Sequence, residues 1–312
     1  MPELVTITEV GPRDGLQLVA NVVPTEAKMQ WIRALFAAGI KNIEVGSFVS
    51  PRLVPQMADS AAVVAQALQI PGLTVYALAA NLKGAMAAYE AGAHVLVIPL
   101  SVSDRHSRAN VNKGTLEHIA AIGDIIEWLR SQPRPIDVEC VAASAFGCSL
   151  AGTVALADVV RTTKALAFAG ADRITLADTV GYAHPAHVRD TVRAVQDAIG
   201  SQLHKLHLHD TMGLGIANAL AGLQEGIRAF DSCLGGLGGC PFAPGASGNV
   251  VTEDLVFMLE SMGYATHIDL AGLLSARASI APHLPVGALR GGVAVAGIPA
   301  TYLPARVATL QG

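Results

Sequence analysis

The chain has 312 residues, of which 52% are hydrophobic, 4% aromatic and 15% charged, and this apolar fraction at a net charge of −4 excludes intrinsic disorder. Its 21 basic residues are outnumbered by 25 acidic ones, which argues against an electrostatic nucleic-acid binder. No membrane span is expected, because apolar runs such as Ala93–Leu100 are shorter than the roughly 20 residues that a bilayer requires.

Short apolar runs alternate with longer helix-like stretches from one end of the chain to the other. The predicted strands are Leu4–Val10, Lys41–Gly46, Leu73–Ala79, His94–Leu100, Ile136–Ala142, Arg173–Asp178, Lys205–His209 and Ala229–Leu234. Near-continuous apolar runs of this length are typical of parallel strands buried on both faces. Eight strand–helix units predict an α/β protein with a (β/α)8 TIM barrel. A doubly wound open sheet is the alternative, and the lack of a GxGxxG motif after the first strand weakens it.

The length of the chain would also fit two domains, although one barrel can account for it. Because no low-complexity linker divides the sequence, we predict a barrel over 1–274 and a C-terminal extension over 275–312. The extension is expected to pack on the barrel or on a partner subunit of a homo-oligomer. The opening MPELVTITEV carries no basic or Arg/Ser-rich leader, which predicts a cytoplasmic protein.

Barrel enzymes place their chemistry at the carboxyl ends of the strands, and several polar side chains fall there. The candidates are Arg13, Asp14 and Gln17 after strand one, Glu44 and Ser47 after strand two, Asp178 after strand six, His207 and His209 on strand seven, and Cys240 and Asn249 after strand eight. A polar loop, 101–113, also follows the fourth strand.

The pair His207 and His209 is the sharpest local feature. Residues two apart on a strand point to the same side, so the two imidazoles can reach one ion. A pair of structural histidines is the alternative, but Asp14 at the end of another strand and Asn249 at the start of a helix favour a metal site. A mixed nitrogen and oxygen set without thiolate suits Mg²⁺ or Mn²⁺ better than structural zinc, although zinc or cobalt can occupy it.

Arg13 and Asp14 lie in a Gly-Pro-bounded turn after a buried strand, where an idle surface ion pair is less expected. Glu44 and Asp178 end apolar strands, and a buried carboxylate needs a partner. We therefore expect each of these two to pair with Arg13 or to lie near the metal. Support of the metal ligands and a direct role in the reaction both stay open for them.

The four cysteines form no CxxC pair, so neither a disulfide scaffold nor a zinc knuckle is indicated. Cys240 lies in a glycine-dense loop, where a thiol on a functional lid can transfer a proton. Cys140 and Cys233 fall within strands and are interpreted as inert apolar residues. The role of Cys148 stays open.

Several of these segments resemble 3-hydroxy-3-methylglutaryl-CoA lyases, a family of metal-dependent TIM-barrel enzymes. The shared motifs are GPRDGLQ at 11–17, SFVSP at 47–51, VPQM at 54–57, HLHD at 207–210, GLGGCP at 236–241 and GASGN at 245–249. They occur in the same order from about residue 5 to about residue 274, so the resemblance is specific.

The resemblance implies a role for each candidate residue. Asp14, His207, His209 and Asn249 would bind the divalent cation. Arg13 would hold and polarise the thioester carbonyl, Cys240 would transfer a proton, and Glu44 and Asp178 would support the site. Gln17 and Ser47 would approach the acyl-CoA substrate.

The implied reaction cleaves a carbon–carbon bond of 3-hydroxy-3-methylglutaryl-CoA and gives acetyl-CoA and acetoacetate, with leucine catabolism as the implied pathway. A histidine ligand or a nearby carboxylate would act as the base toward the hydroxyl group. Where the family usually has Gly-Cys-Pro after strand five, this chain has Gly147-Cys148-Ser149. That loop borders the acyl pocket, so citramalyl-CoA or a longer isoprenoid-type glutaryl-CoA is an alternative substrate.

Two further alternatives belong to other classes of protein. Claisen-condensing synthases typically have Glu-Arg-Ala-Gly-Asn where this chain has the Cys240 loop, and 312 residues leave little room for their added domain. A non-catalytic metal- or CoA-binding protein is disfavoured because the metal and arginine motifs are intact.

Overall fold

The structure, a computed structural model, describes residues 2–239 and 248–305. Its eight strands are β1 Thr6–Glu9, β2 Asn42–Ser47, β3 Thr74–Leu78, β4 Val95–Ser101, β5 Asp137–Ala143, β6 Arg173–Asp178, β7 Leu203–Leu208 and β8 Ala229–Ser232. They form a closed parallel barrel in the order β1 to β8, in which β8 pairs with β1. The predicted (β/α)8 barrel is confirmed, and the open sheet is excluded.

Helices alternate with the strands and cover the outside of the barrel. Their bounds are α1 Thr25–Ala37, α2 Ser60–Ala67, α3 Leu82–Ala91, α4 Asp104–Val111, α5 Thr115–Arg130, α6 Leu156–Phe168, α7 Pro185–Ile199, α8 Gly215–Gln224, α9 Thr252–Ser261, α10 Leu270–Ile280 and α11 Gly292–Ala296. In the described part of the chain, none of them has both the length and the apolar character of a membrane span.

The main core lies between the strands and the helices. On α1 the buried face consists of Trp31, Ile32 and Leu35, each 0% exposed, which are spaced as one stripe of a helix. The inside of the barrel holds a smaller apolar cluster around Tyr76, Val95 and Val97. This separation leaves the carboxyl end of the barrel for polar side chains.

The segments between the carboxyl ends of the strands and the helices that follow form the rim. After β1 the chain forms one π-helical turn over Gly11–Gly15, in which the backbone N–H groups of Arg13 and Asp14 donate to the carbonyl of Val10 at 3.1 and 2.7 Å. The carboxyl group of Glu9 accepts the Gly11 N–H at 2.9 Å. This turn presents Arg13 and Asp14 over the mouth of the barrel.

The C-terminal segment contacts the barrel in the described residues. The predicted boundary at residue 274 falls inside α10, which packs against α1. Further along, Arg290 donates through Nη2 to the carbonyl of Gly236 at 2.8 Å. Residues 306–312 lie outside the described part of the chain, and the division at residue 274 stays a prediction.

Candidate metal centre and active site

Three potential ligands meet at the carboxyl end of the barrel. Asp14 Oδ2 lies 3.7 Å from His209 Nε2 and 4.0 Å from His207 Nε2, and the two Nε2 atoms are 3.1 Å apart. All three side chains are buried, and in the described part of the chain they form the group of acidic, histidine or cysteine residues that can hold a metal ion. The predicted His207 and His209 pair therefore does converge on one point.

Asn249 joins this cluster from the segment before α9. It is fully buried, forms an isolated β-bridge with His209, and donates through Nδ2 to Asp14 Oδ2 at 2.7 Å. A second contact, from Nδ2 to the carbonyl of Leu237 at 3.0 Å, fixes the amide. Its Oδ1 has no hydrogen-bond partner in the described residues.

These residues fit a divalent cation. Two imidazole nitrogens at 3.1 Å repel each other unless a proton or an ion lies between them, and a buried amide oxygen without a partner is unfavourable. One carboxylate oxygen, two imidazole nitrogens and one amide oxygen make a mixed donor set of the kind that Mn²⁺ or Mg²⁺ accepts.

Arg13 links the metal cluster to β2. Its Nη1 lies 2.6 Å from Asp14 Oδ1 and its Nη2 lies 2.6 Å from Glu44 Oε2, and no side chain of the three is more than 10% exposed. We call Arg13, Asp14 and Glu44 the Arg13 group. Gln17 also belongs to this edge, because its Nε2 donates to Asp14 Oδ1 at 2.8 Å.

The charges of the Arg13 group support one another. Burial opposes ionisation of Asp14, but the Arg13 guanidinium together with His209 and His207 outweighs it and holds the pKa of Asp14 well below its usual range. Burial likewise opposes the charge on Arg13, and the carboxylates of Glu44 and Asp14 keep its pKa above the usual value. Glu44 differs, because burial raises its pKa in spite of Arg13.

Asp178 and Ser47 lie at the carboxyl ends of β6 and β2, which are not adjacent in the barrel. Each carboxylate oxygen of Asp178 accepts a backbone N–H at 3.0 Å, from Tyr182 and from Ala183, so this side chain holds the loop after β6. Burial raises the pKa of Asp178. Ser47 is 2% exposed at the end of β2, where its N–H donates to Ser60 Oγ at 2.9 Å.

The cysteines divide as their positions suggested. Cys140 and Cys233 are fully buried, and burial raises the pKa of both thiols, which suits inert apolar side chains. The Sγ of Cys148 accepts the N–H groups of Leu150 and Ala151 at 3.4 and 3.3 Å. Cys240 lies outside the described residues.

Sequence reasoning missed a buried charged group below His207. Lys205 on β7 lies 2.9 Å from Glu139 Oε1 on β5 and 3.0 Å from Asp231 Oδ1 on β8. We call Lys205, Glu139 and Asp231 the Lys205 group. Asp231 Oδ2 reaches His207 Nδ1 at 3.2 Å. Burial lowers the pKa of His207, but the hydrogen bond to Asp231 and the charges of Asp231 and Asp14 together outweigh it and raise the pKa. A charged residue within each of three predicted strands was the available signal.

A second missed residue is Glu9, which connects three segments around the mouth. Its carboxyl group accepts the N–H of Gly11 and of Leu234, each at 2.9 Å, and the hydroxyl of Thr252 at 2.7 Å. Burial raises the pKa of Glu9 to about 8, although these hydrogen bonds oppose the shift. Glu9 therefore ties the turn after β1 to the segments that follow β8.

The fold and this cluster define a (β/α)8 barrel with a candidate divalent-metal centre at its carboxyl rim. The HMGL-like family model matches residues 4–280, and the chain belongs to the HMGL-like family. The predicted family resemblance is thereby confirmed.

Relatives of known name agree with this assignment. The chain is 39% identical to the hydroxymethylglutaryl-CoA lyase of Bacillus subtilis over 275 residues, which is 88% of this chain and 91% of the relative. It is 41% identical to the human mitochondrial hydroxymethylglutaryl-CoA lyase over 276 residues, or 88% of this chain and 84% of the relative. An HMG-CoA lyase from Acinetobacter baumannii, solved with coenzyme A and 3-methylmalate, superposes with a TM-score of 0.89 at 39% identity and covers 96% of this chain and 97% of that one.

Proposed function

We propose that this protein is a carbon–carbon lyase that cleaves 3-hydroxy-3-methylglutaryl-CoA into acetyl-CoA and acetoacetate. The observation that carries the proposal is the buried cluster of Asp14, His207, His209 and Asn249 beside Arg13, in a chain about 40% identical to proteins named as lyases for this substrate. The structural relative that holds coenzyme A supports an acyl-CoA as the substrate class.

The four clustered residues would hold a divalent cation. When bound, such a cation lowers the pKa of the substrate hydroxyl and fixes the geometry of its oxygen atoms. Asp14 brings a negative charge to this position, and the two imidazoles bring neutral nitrogen ligands once they are deprotonated. Mg²⁺ and Mn²⁺ are the ions we propose.

Arg13 would hold the thioester carbonyl. A guanidinium carries five N–H donors, and the two ion pairs of Arg13 use one hydrogen of Nη1 and one of Nη2. The remaining hydrogens can donate to the thioester oxygen, where negative charge develops as the bond between C2 and C3 of the acyl group breaks. Gln17 and Ser47, on the same edge of the mouth, are the proposed substrate contacts.

Bond cleavage requires a base and an acid. The substrate hydroxyl loses its proton, the C2–C3 bond breaks to leave a ketone in acetoacetate, and the electron pair forms the enolate of acetyl-CoA. Glu44 keeps one oxygen, Oε1, without a partner in the described residues, whereas both Asp178 oxygens are held by backbone N–H groups. Glu44 or a histidine ligand is therefore the proposed base. Asp178 is proposed to support the site.

Cys240 is the proposed acid that protonates the enolate carbon. This role rests on the GLGGCP motif alone, because Cys240 lies outside the described residues. We also propose a cytoplasmic location, a homo-oligomeric assembly and a place in leucine catabolism, none of which the geometry of the site addresses.

A coupled assay for acetoacetate with 3-hydroxy-3-methylglutaryl-CoA tests the proposal. We expect turnover with Mg²⁺ or Mn²⁺ and loss of turnover with a chelator. A D14N variant should show no turnover at metal concentrations that saturate the unmodified protein. Metal binding without cleavage of this substrate would contradict the proposal. Parallel assays with citramalyl-CoA and an isoprenoid-type glutaryl-CoA would identify a related lyase, which the serine after Cys148 keeps open.

A further inference from the structure

The Lys205 group lies inside the barrel, below the candidate metal centre. Lys205 and Glu139 are each 1% exposed, and Asp231 is 7% exposed. Charged side chains are rarely buried to this degree without a specific partner, since isolated charges are costly in the interior of a protein. None of the three is among the metal ligands or substrate contacts proposed above.

The strands place this group directly under His207. Lys205 and His207 are two residues apart on β7, so their side chains point to the same side, into the barrel. In the pairing of β7 with β8, His207 lies opposite Asp231. The backbone therefore brings the Lys205 ammonium group, the Asp231 carboxylate and the His207 imidazole next to one another inside the barrel.

Asp231 uses a different oxygen for each neighbour. Its Oδ1 lies 3.0 Å from Lys205 Nζ, and its Oδ2 lies 3.2 Å from His207 Nδ1. The ion pair of Lys205 with Oδ1 favours the rotation of the carboxylate in which Oδ2 faces the imidazole. When Nδ1–H donates to Oδ2, the lone pair of Nε2 is directed toward Asp14 and His209.

We propose that Lys205 is a positioning residue for the metal centre, which acts through Asp231 to hold His207 in the orientation and tautomer that bind the cation. Lys205 itself does not touch the cation or the substrate. The inference rests on the metal site of the proposed function and adds a residue to it.

Glu139 has a different place in this arrangement. Both of its oxygens lie near Lys205 Nζ, at 2.9 and 3.1 Å, and Oε1 also accepts the hydroxyl of Thr175 at 2.8 Å. Within the described residues, Glu139 makes no hydrogen bond or ion pair with His207 and acts as the counter-charge of Lys205. A purely structural role of Lys205 would be to neutralise Glu139, and this role is separable from the contact with Asp231.

Two variants separate the positioning role of Lys205 from its role as a counter-charge. They are K205M and the double variant K205M/E139Q, which leaves the net charge of the Lys205 group unchanged. Affinity for Mn²⁺ is measured by isothermal titration on the full chain, with thermal unfolding in a chelator as the measure of the fold. We expect K205M to lower both the unfolding temperature and the affinity for Mn²⁺, the affinity by about tenfold or more, as for other residues that orient a ligand. In K205M/E139Q the unfolding temperature recovers, while the affinity stays low because Asp231 Oδ1 still lacks its cation.

The outcomes distinguish failure of the positioning role of Lys205 from failure of the proposed metal site. Recovery of Mn²⁺ affinity in K205M/E139Q would overturn the inference and leave Lys205 as a counter-charge for Glu139. Unchanged affinity in K205M would overturn it as well. If the unmodified protein binds no Mn²⁺ in the same titration, the proposed metal site fails first. A variant D231N, which removes the negative charge next to His207, is expected to lower the affinity at least as much as K205M.

Discussion

Replacing Arg13 by glutamine probes the most heavily charged part of the candidate active site. Arg13 makes ion pairs of 2.6 Å with Asp14 and with Glu44, and all three side chains are buried. The R13Q substitution leaves two carboxylates without their cation. Breaking a buried ion pair by removing one partner costs about 3–5 kcal/mol.

The loss of stability in R13Q should depend on pH. Burial raises the pKa of Glu44 even with Arg13 present, so without Arg13 this carboxyl group takes up a proton at a higher pH. A carboxyl group with a raised pKa in the folded state stabilises the fold at low pH, and this stabilisation is lost as the pH rises through the folded-state pKa. We expect a destabilisation of about 3 kcal/mol near pH 8 and a smaller one near pH 6.

Turnover should fall as well, for a separate reason. A donor that stabilises a developing oxyanion contributes about 10²–10³ in kcat. The acetoacetate assay gives kcat, and urea unfolding followed by circular dichroism at pH 6 and pH 8, in a chelator, gives the free energy of unfolding. The double variant R13Q/E44Q is the control, since it removes one of the two unpaired carboxylates and should recover part of the stability without recovering turnover.

Near-normal turnover in R13Q would refute the role of Arg13 in the reaction. Equal stability of R13Q and the unmodified protein at pH 8 would refute the account of the ion pairs. Recovery of turnover in R13Q/E44Q would mean that Arg13 acts only by neutralising Glu44.

Three other predictions follow from the buried titratable groups. Burial lowers the pKa of His207, but Asp231 and Asp14 together outweigh it and raise the pKa, so affinity for Mn²⁺ should fall by about tenfold per pH unit below that pKa, as titrations between pH 6 and pH 8 would show. In D178N the amide NH₂ must face one of two backbone N–H donors, so the free energy of unfolding in urea should fall by about 1–3 kcal/mol. The pKa of Glu9 rises from 4.5 to about 8, so the free energy of unfolding should decrease by about 1.4 kcal/mol per pH unit over that interval relative to an E9Q variant.

Each of these predictions has a contrary outcome. Affinity for Mn²⁺ that is constant from pH 6 to pH 8 would mean that His207 binds no proton in the metal-free protein. Unchanged stability in D178N would show that Asp178 does not hold the loop after β6 through its two oxygens. Parallel pH profiles for E9Q and the unmodified protein would show that Glu9 is ionised at an ordinary pH.

The sequence predicted the barrel because its strands are apolar on both faces, and it predicted the metal pair because strand periodicity places His207 and His209 on one side. The contact of Asp14 with Asn249 depends on closure of the barrel, which brings together residues 235 positions apart. Their conjunction was expected from their places after the first and eighth strands, and the family resemblance implied it as well. Glu44 pairs with Arg13, which is one of the two alternatives that the sequence analysis expected for it.

The Lys205 group escaped prediction for a physical reason. Glu139, Lys205 and Asp231 come from three strands, and sequence alone does not show at which depth of the barrel each side chain ends. Distances of 2.9 and 3.0 Å appear only once the strand register is fixed. Glu9 escaped for a related reason, since its partners Leu234 and Thr252 are more than 220 residues away.

The charges of the two buried groups suggest how the metal and the fold depend on each other. The Arg13 group and the Lys205 group each contain one basic and two acidic side chains, so each carries a net charge of −1 when ionised. His207 contacts both groups, through Nδ1 on one side and Nε2 on the other. A divalent cation at the imidazoles would cancel the net charge of −2, which is costly in the interior without compensation. A bound cation should therefore stabilise the barrel as well as serve the reaction.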